Sequence, residues 1–405
     1  MSPEPRLLTR PFLVLMVAHA LQSLGFASLL LMPLYLDHLG ASRTEVGLVL
    51  ATSAIGGLLV RPLVGWALDR LGRISTLFVG TAFLATGLGL IGFVDAIGPL
   101  VYLVHAAVGI GTGSLFTGYF TMAADLLPPA RRTEGLALFG IAGLVTLTVN
   151  PVADALGISG AGLRWFFVVM SGLVASSGLL LWWLPRVAPQ PASQHRSAVF
   201  VALRRRALLP VWWATLVFST LVAIFMAFAT VTAQDRGMAD PASVWLSYAL
   251  GAVTVRLFGA RLPERVGPSR MVVPSLLSYA VGVFGVAWAA SGTGFLVAGL
   301  FAGLGHGFAF PVLTGQVVNR AQADLRGSAM ALFTALWDLT KLMLVPVAGW
   351  LADVTDDATM LTSTGVLGVL SLGVWRGLER GALPHEDDES RGPGRAWAGQ
   401  QLEDS

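Results

Sequence analysis

Twelve apolar stretches alternate with short polar breaks along the chain, each near the roughly 20 residues that cross a bilayer as a helix. The pattern predicts spans at Pro11–Leu36, Thr44–Asp69, Ile74–Val94, Gly98–Leu126, Glu134–Leu156 and Leu163–Leu184. Six more follow at Leu208–Thr232, Ala242–Leu262, Met271–Ala290, Gly294–Val318, Gly327–Ala352 and Ala358–Arg376. Uninterrupted apolar runs of this length satisfy their backbone in hydrocarbon only as helices, so the expected fold class is all-α integral membrane, with about twelve transmembrane helices. Residues 186–207 contain Pro, Gln and Ser with Arg186, Arg196, Arg204, Arg205 and Arg206, and read as a cytoplasmic linker. After Arg380 the chain is rich in Gly, Pro and acid (Glu386, Asp387, Asp388, Glu389), and disorder is expected there. The organisation is thus a six-helix bundle at 1–185, a linker at 186–207, a second bundle at 208–380 and a tail at 381–405.

Composition supports the membrane reading, because 55% hydrophobic residues and 12% charged ones leave too little polar surface to meet water. The first span lacks a small-residue cleavage site after it and is expected to stay as a signal anchor. Cysteine is absent, which excludes disulfides and thiolate metal sites. The net charge of +3 has a sided distribution. Twenty of the 26 basic residues fall in the N-terminus, the even-numbered loops and the C-terminal region; the other loops hold Arg43, Arg164 and Arg236, and the spans hold Arg61, Arg256 and Lys341. That asymmetry places both termini in the cytoplasm, and it accounts for the positive charge without nucleic acid.

The break between the second and third spans carries Gly65, Asp69, Arg70, Gly72 and Arg73. Gly65 is expected to let a neighbouring helix approach, Gly72 to permit the reversal, and Asp69 to put a carboxylate at the membrane edge. The break recurs, with Val60, Arg61, Arg70 and Gly72 matching Val255, Arg256, Arg265 and Gly267 at an offset of 195, and Glu264 in place of Asp69. Gly109, Gly111, Gly113, Phe116, Arg132, Ala137, Leu138 and Phe139 recur at an offset of 194, and Pro151-Val152-Ala153 as Pro346-Val347-Ala348. Three regions in register make the chain two related halves of one topology.

The spacing Gly-x-x-x-Asp-Arg-x-Gly-Arg resembles the second-to-third helix loop of major facilitator superfamily transporters, with Ile74 standing where that family usually has another basic residue. The fourth span resembles the family pattern of Arg followed by two Gly, with His105 in place of the Arg. In the fifth, only Pro151 matches the Gly-Pro pair of the family's antiporters, and Asn150 and Asp154 fill Gly positions. The resemblance implies two six-helix bundles around a central cavity that opens alternately to either side.

Charged groups inside spans are expensive and mark solute or ion pathways. Asp338 and Lys341 lie three apart on one face of the eleventh span; they read either as a self-neutralising structural pair or as a protonatable, solute-binding centre. His19, Gln22 and Ser23 form a polar stripe on the first span that suits helix-to-helix hydrogen bonding as well as solute contact. His105 reads as a structural hydrogen-bonding group or a proton carrier. The solute and proton pathway is therefore expected at His19, Gln22, His105, Asn150, Asp154, Asp338 and Lys341, and the gating loop at Gly65, Asp69, Arg70, Gly72, Arg73, Glu264 and Arg265. His306, Gly315, Gln316 and Asn319 are lesser candidates. No Gly-rich phosphate loop, nucleophile and base, or metal-ligand spacing is present, so neither an enzyme nor a cofactor is expected. The expected function is secondary transport of a small organic solute, as proton-coupled efflux; uptake by symport or uniport, and a non-transporting sensor with this fold, are the alternatives. The expected setting is the cytoplasmic membrane, with the bilayer, a solute and protons as partners and a monomer as the working unit.

Overall fold

The computed structural model describes residues 7–128, 131–185, 198–259, 261–322 and 325–382. Twelve helical elements cross the molecule. In the first half they are α1 (Arg10–His38), α2 (Arg43–Arg70), α3 (Arg73–Ile91), α4 (Pro99–Leu126), α5 (Arg132–Val145, the turn Thr146–Thr148, then Val149–Ala155) and α6 (Gly162–Trp183). In the second they are α7 (Arg206–Asp235), α8 (the turn Pro241–Ser243, then Val244–Phe258), α9 (Pro268–Trp288), α10 (Gly292–Arg320), α11 (Arg326–Val354) and α12 (Asp357–Ala382). Among the described residues, eleven of these are long and apolar enough to cross a membrane. The twelfth is α8, which ends at Phe258, short of the expected Leu262, and a separate short helix Leu262–Val266 follows.

Local chemistry sets the boundaries. Ser42 and Glu45 cap α2 reciprocally, Glu45 N–H donating to Ser42 Oγ (3.2 Å) and Ser42 N–H to Glu45 Oε2 (2.9 Å). Gly72 and its repeat Gly267 both take positive φ, 86° and 103°, at the reversals into α3 and α9. α1 and α5 each tighten into a 3-10 turn just ahead of a proline, Pro33 and Pro151.

The repeated glycines bring helices into backbone contact. A Cβ on Gly109 of α4 would lie 1.9 Å from the Ser53 carbonyl of α2, and one on Gly303 of α10 would lie 2.1 Å from the Tyr248 carbonyl of α8. Gly111 and Gly305 press in the same way on Leu84 and Tyr279, a pair again offset by 195. Each half is therefore built on its fourth helix, packed against the second and third. The halves meet along α2 with α11 and along α5 with α8.

Residues 198–207, expected as loose linker, contain the helix Ala198–Arg204, which packs on α11; Trp212 Nε1 donates to the Ala202 carbonyl at 3.2 Å. The remaining linker positions 186–197, and the tail from 383, lie outside the described residues.

Candidate functional site

The line where α2 meets α11 carries polar groups at membrane depth. Arg61 on α2 grips Asp338 on α11: its Nε donates to Oδ2 at 2.8 Å and its Nη2 to the same oxygen, while Nη2 also donates to the Thr334 carbonyl at 3.0 Å. Gly57, one turn along α2, leaves room for the carboxylate, since a Cβ there would touch Oδ2 at 3.4 Å. Lys341 makes no direct salt bridge to Asp338, although the carboxylate lies near enough to act on its charge. Its Nζ donates instead to Ser53 Oγ at 2.6 Å, and Ser53 passes its own hydrogen to the Leu50 carbonyl. Both links join the two halves. The reason lies in helix geometry: side chains three apart share a face, and that face is pressed against a neighbour that offers better-placed partners.

At one end of the molecule, further charged links cross the same boundary. Asp353, at the end of α11, accepts from the first backbone N–H groups of α2, Arg43 N and Thr44 N (2.8 Å each), and from Thr44 Oγ1 (2.5 Å). The Arg43 guanidinium reaches Asp37 (2.8 Å) in its own half, and Asp357 (3.3 Å) and Asp235 in the other. Gln234 donates across to Asp37 at 2.9 Å. On the α5–α8 side, Asp154 accepts from Ala242 N at 2.6 Å, at the turn that starts α8. At the opposite end, charged ties among the described residues stay within a half. Arg73 donates to Asp125 (3.0 Å) and the Leu68 carbonyl (2.8 Å), and Arg320 to Glu379 (2.8 Å) and Ser269 (2.9 Å). The interface is thus bolted at the Arg43 end, joined by an ion pair at mid-depth, and free of described charged links at the far end.

A profile of the Major Facilitator Superfamily matches residues 12–342. The chain belongs to the Major Facilitator Superfamily. It is similar to an uncharacterized MFS-type transporter of Salmonella typhimurium, 27% identical over 80% of this chain and 84% of the relative. It is also similar to a probable nitrate/nitrite transporter of Mycobacterium tuberculosis, 25% identical over 74% and 78%. Among solved structures it shares the fold of a nucleoside transporter, with a TM-score of 0.74 at 14% identity, covering 91% of this chain and 99% of the other.

Within this superfamily fold the expected pathway residues separate. Asp338 and Lys341 stand at the centre of the interface. His19 stacks on Phe139 (4.2 Å between ring centroids), takes a hydrogen bond from Gln22 (3.2 Å), and faces Gly143 of α5 with its other ring nitrogen, while the Gln22 amide also donates to Ser23 (2.9 Å). His105 is fully buried with Nδ1 unpartnered, close enough to Lys341 to feel its charge. Asn150 leaves that centre; its amide donates to the Ala27 carbonyl at 3.1 Å and braces the break in α1. Asp154 belongs to the bolted end.

The residues of the expected gating loop lie at the end of the interface that is free of described charged links. Gly65 admits no neighbouring helix, since nothing lies within 4 Å of a Cβ there; the close approach of α2 and α11 is made by Gly47 and Gly349, where a Cβ would sit 2.7 Å from Pro346 Cα and 2.2 Å from the Arg43 carbonyl. Arg70, Glu264 and Arg265 are exposed, and Arg73 braces its own half rather than linking the two. The Asp69 side chain lies outside the described residues. Sequence reasoning missed Arg43, treated only as a loop charge, and Asp353. A signal for Asp353 was present: Gly349-Trp350-Leu351-Ala352-Asp353 repeats the Gly-Trp-x-x-Asp order of Gly65 to Asp69.

Proposed function

We propose that this superfamily member is a proton-coupled secondary transporter of a small solute in the cytoplasmic membrane, working as a monomer by alternating access between its halves. The observation that carries the reading is the asymmetry of the interface: charged ties cross it at the Arg43 end and at Arg61–Asp338, while at the other end those found among the described residues, Arg73–Asp125 and Arg320–Glu379, stay within a half. With both termini cytoplasmic, the Arg43 end faces outward and this is the inward-facing state. Rocking about the central pair exchanges the closed end.

Proton coupling rests on Asp338. While Arg61 holds it, its charge is neutralised; a solute that draws Arg61 away leaves a bare carboxylate at membrane depth, which a proton from the open side neutralises. Proton and solute then load together. A solute that uses the carboxylate itself expels the proton, and the coupling becomes antiport and efflux. Relatives include a staphylopine export protein, which agrees with efflux, and a probable nitrate/nitrite transporter, whose solute is small and anionic.

The test is the full-length protein in liposomes with an imposed pH gradient and a solute panel, reading internal pH. Proton flux that depends on one solute and is lost in Asp338→Asn supports the proposal, and its sign gives the direction. Solute-dependent proton flux undiminished in Asp338→Asn refutes the role of Asp338.

A further inference from the structure

We propose that the solute is an anion, drawn to membrane depth by the positive charges of Arg256 and Lys341 on the two seams between the halves; this rests on the transport reading above. Among the described residues, four charged groups (Arg61, Asp338, Lys341 and Arg256) lie within the spans along the boundary between the halves. Arg61 and Asp338 cancel. Lys341 has only the neutral Ser53 hydroxyl as a hydrogen-bond partner, and Arg256 on α8 has no acid against it among the described residues; its Nε is buried and unpartnered. Among the described residues, three cations therefore share one carboxylate there, an excess of two positive charges. Such charge is costly in a bilayer and persists where a ligand supplies the counter-charge.

The internal repeat makes the imbalance legible. Arg61 and Arg256 correspond at an offset of 195, and at that offset the counterpart of Asp338 is Gly143. Where α11 gives Arg61 a carboxylate, α5 sets a glycine against Arg256: a Cβ on Gly140 would lie 2.8 Å from Arg256 Nη1. His19 reaches the same glycine step from α1, its Nε2 3.3 Å from the Cβ position of Gly143. With the Gln22 amide donating to Nδ1, the hydrogen sits on Nε2 and points into that step. A guanidinium and a ring N–H, both donors, thus face α5, with the Ser23 hydroxyl 3.7 Å from the Gly143 Cβ position and no carboxylate beside them among the described residues. That chemistry recognises a carboxylate or an inorganic oxyanion.

The charge of the solute also sets the sign of coupling. An anion beside Lys341 and Arg61 competes with Asp338 for its cation, so a proton from the open side bonds to the Asp338 carboxylate as the anion binds, and both leave on the other side. The expected mode is proton–anion symport, which the proton gradient drives inward.

The experiment measures thermal unfolding of purified full-length protein in detergent, at fixed ionic strength, against nitrate, phosphate, benzoate and citrate, with tetraethylammonium and uridine as cationic and neutral probes. A saturable rise in Tm is expected with at least one of the four anions and with neither other probe; benzoate or citrate marks a carboxylate solute, nitrate or phosphate an inorganic one. Arg256→Gln should weaken the apparent affinity roughly ten- to a hundredfold, with part restored in Arg256→Lys. Lys341→Met should weaken it likewise, and serves if the first variant does not fold. Stabilisation by none of the four anions, or equal stabilisation of both neutralised variants, overturns the proposal. In liposomes, proton flux driven by uridine or tetraethylammonium alone refutes the anion and leaves transport standing; proton flux with no solute of any class strikes the transport reading itself.

Discussion

The carboxylate of Asp353 is the simplest part of the bolted end to remove, and Asp353→Ala should open that end. Three hydrogen bonds go with it, from Arg43 N, Thr44 N and Thr44 Oγ1, and two of them come from the exposed first turn of a helix in the other half. Losing a side-chain cap costs about 0.5–2 kcal/mol. The favourable contact of a carboxylate with a helix N-terminus adds about 0.3–1 kcal/mol, toward the lower figure here because Asp353 is exposed and its charge is screened. These bonds are made only while this end is closed, so roughly 1–2 kcal/mol passes into the equilibrium between the two states, a shift of about five- to thirtyfold toward opening. The absence of native cysteine allows the pair Ala155→Cys and Ala290→Cys, one at this end of each half, to carry spin labels without background. Pulsed electron resonance should then show a single distance population in the parent and a second, longer one in Asp353→Ala. Superimposable distance distributions would refute the assignment of Asp353 as a closing contact.

Three further outcomes are expected. Asp338→Asn should abolish proton-driven accumulation in liposomes while slower solute exchange continues, since the pathway remains but the carried proton does not; equal losses of both would instead indicate misfolding. Gly109→Ala should lower the detergent melting temperature, because its Cβ would meet the Ser53 carbonyl at 1.9 Å and overpacking of this kind costs about 1–3 kcal/mol, whereas Gly65→Ala, with open space around it, should be neutral or stabilising. His105→Gln keeps a hydrogen-bonding group of similar reach while removing a titratable one, so the protein should fold and its transport rate should change its pH profile; an unaltered profile makes His105 a packing residue.

The sequence by itself determined the spans, because the length of an apolar run against bilayer thickness is a property of local composition that tertiary contacts do not alter. It also determined the duplication, through Arg61 and Arg256, the glycines of α4 and α10, and Pro151 and Pro346. Where the helix itself fails, at the end of α8 after Phe258, the apolar pattern ran on and misled, since hydropathy does not register the break at Gly259. Asp338 and Lys341 were legible as expensive charges on one face, yet their partners were not. Which groups lie opposite a helix face depends on how α2 is set against α11 along their length, and that setting comes from glycines far along the chain, Gly47 and Gly349, which carry no charge signal. For the same reason Gly65 and Gly349, in matching motifs, behave oppositely: one faces open space and the other the Arg43 carbonyl, because only one end of the interface is closed. A motif specifies what a helix end can bind, and the tertiary structure decides whether a partner is brought to it.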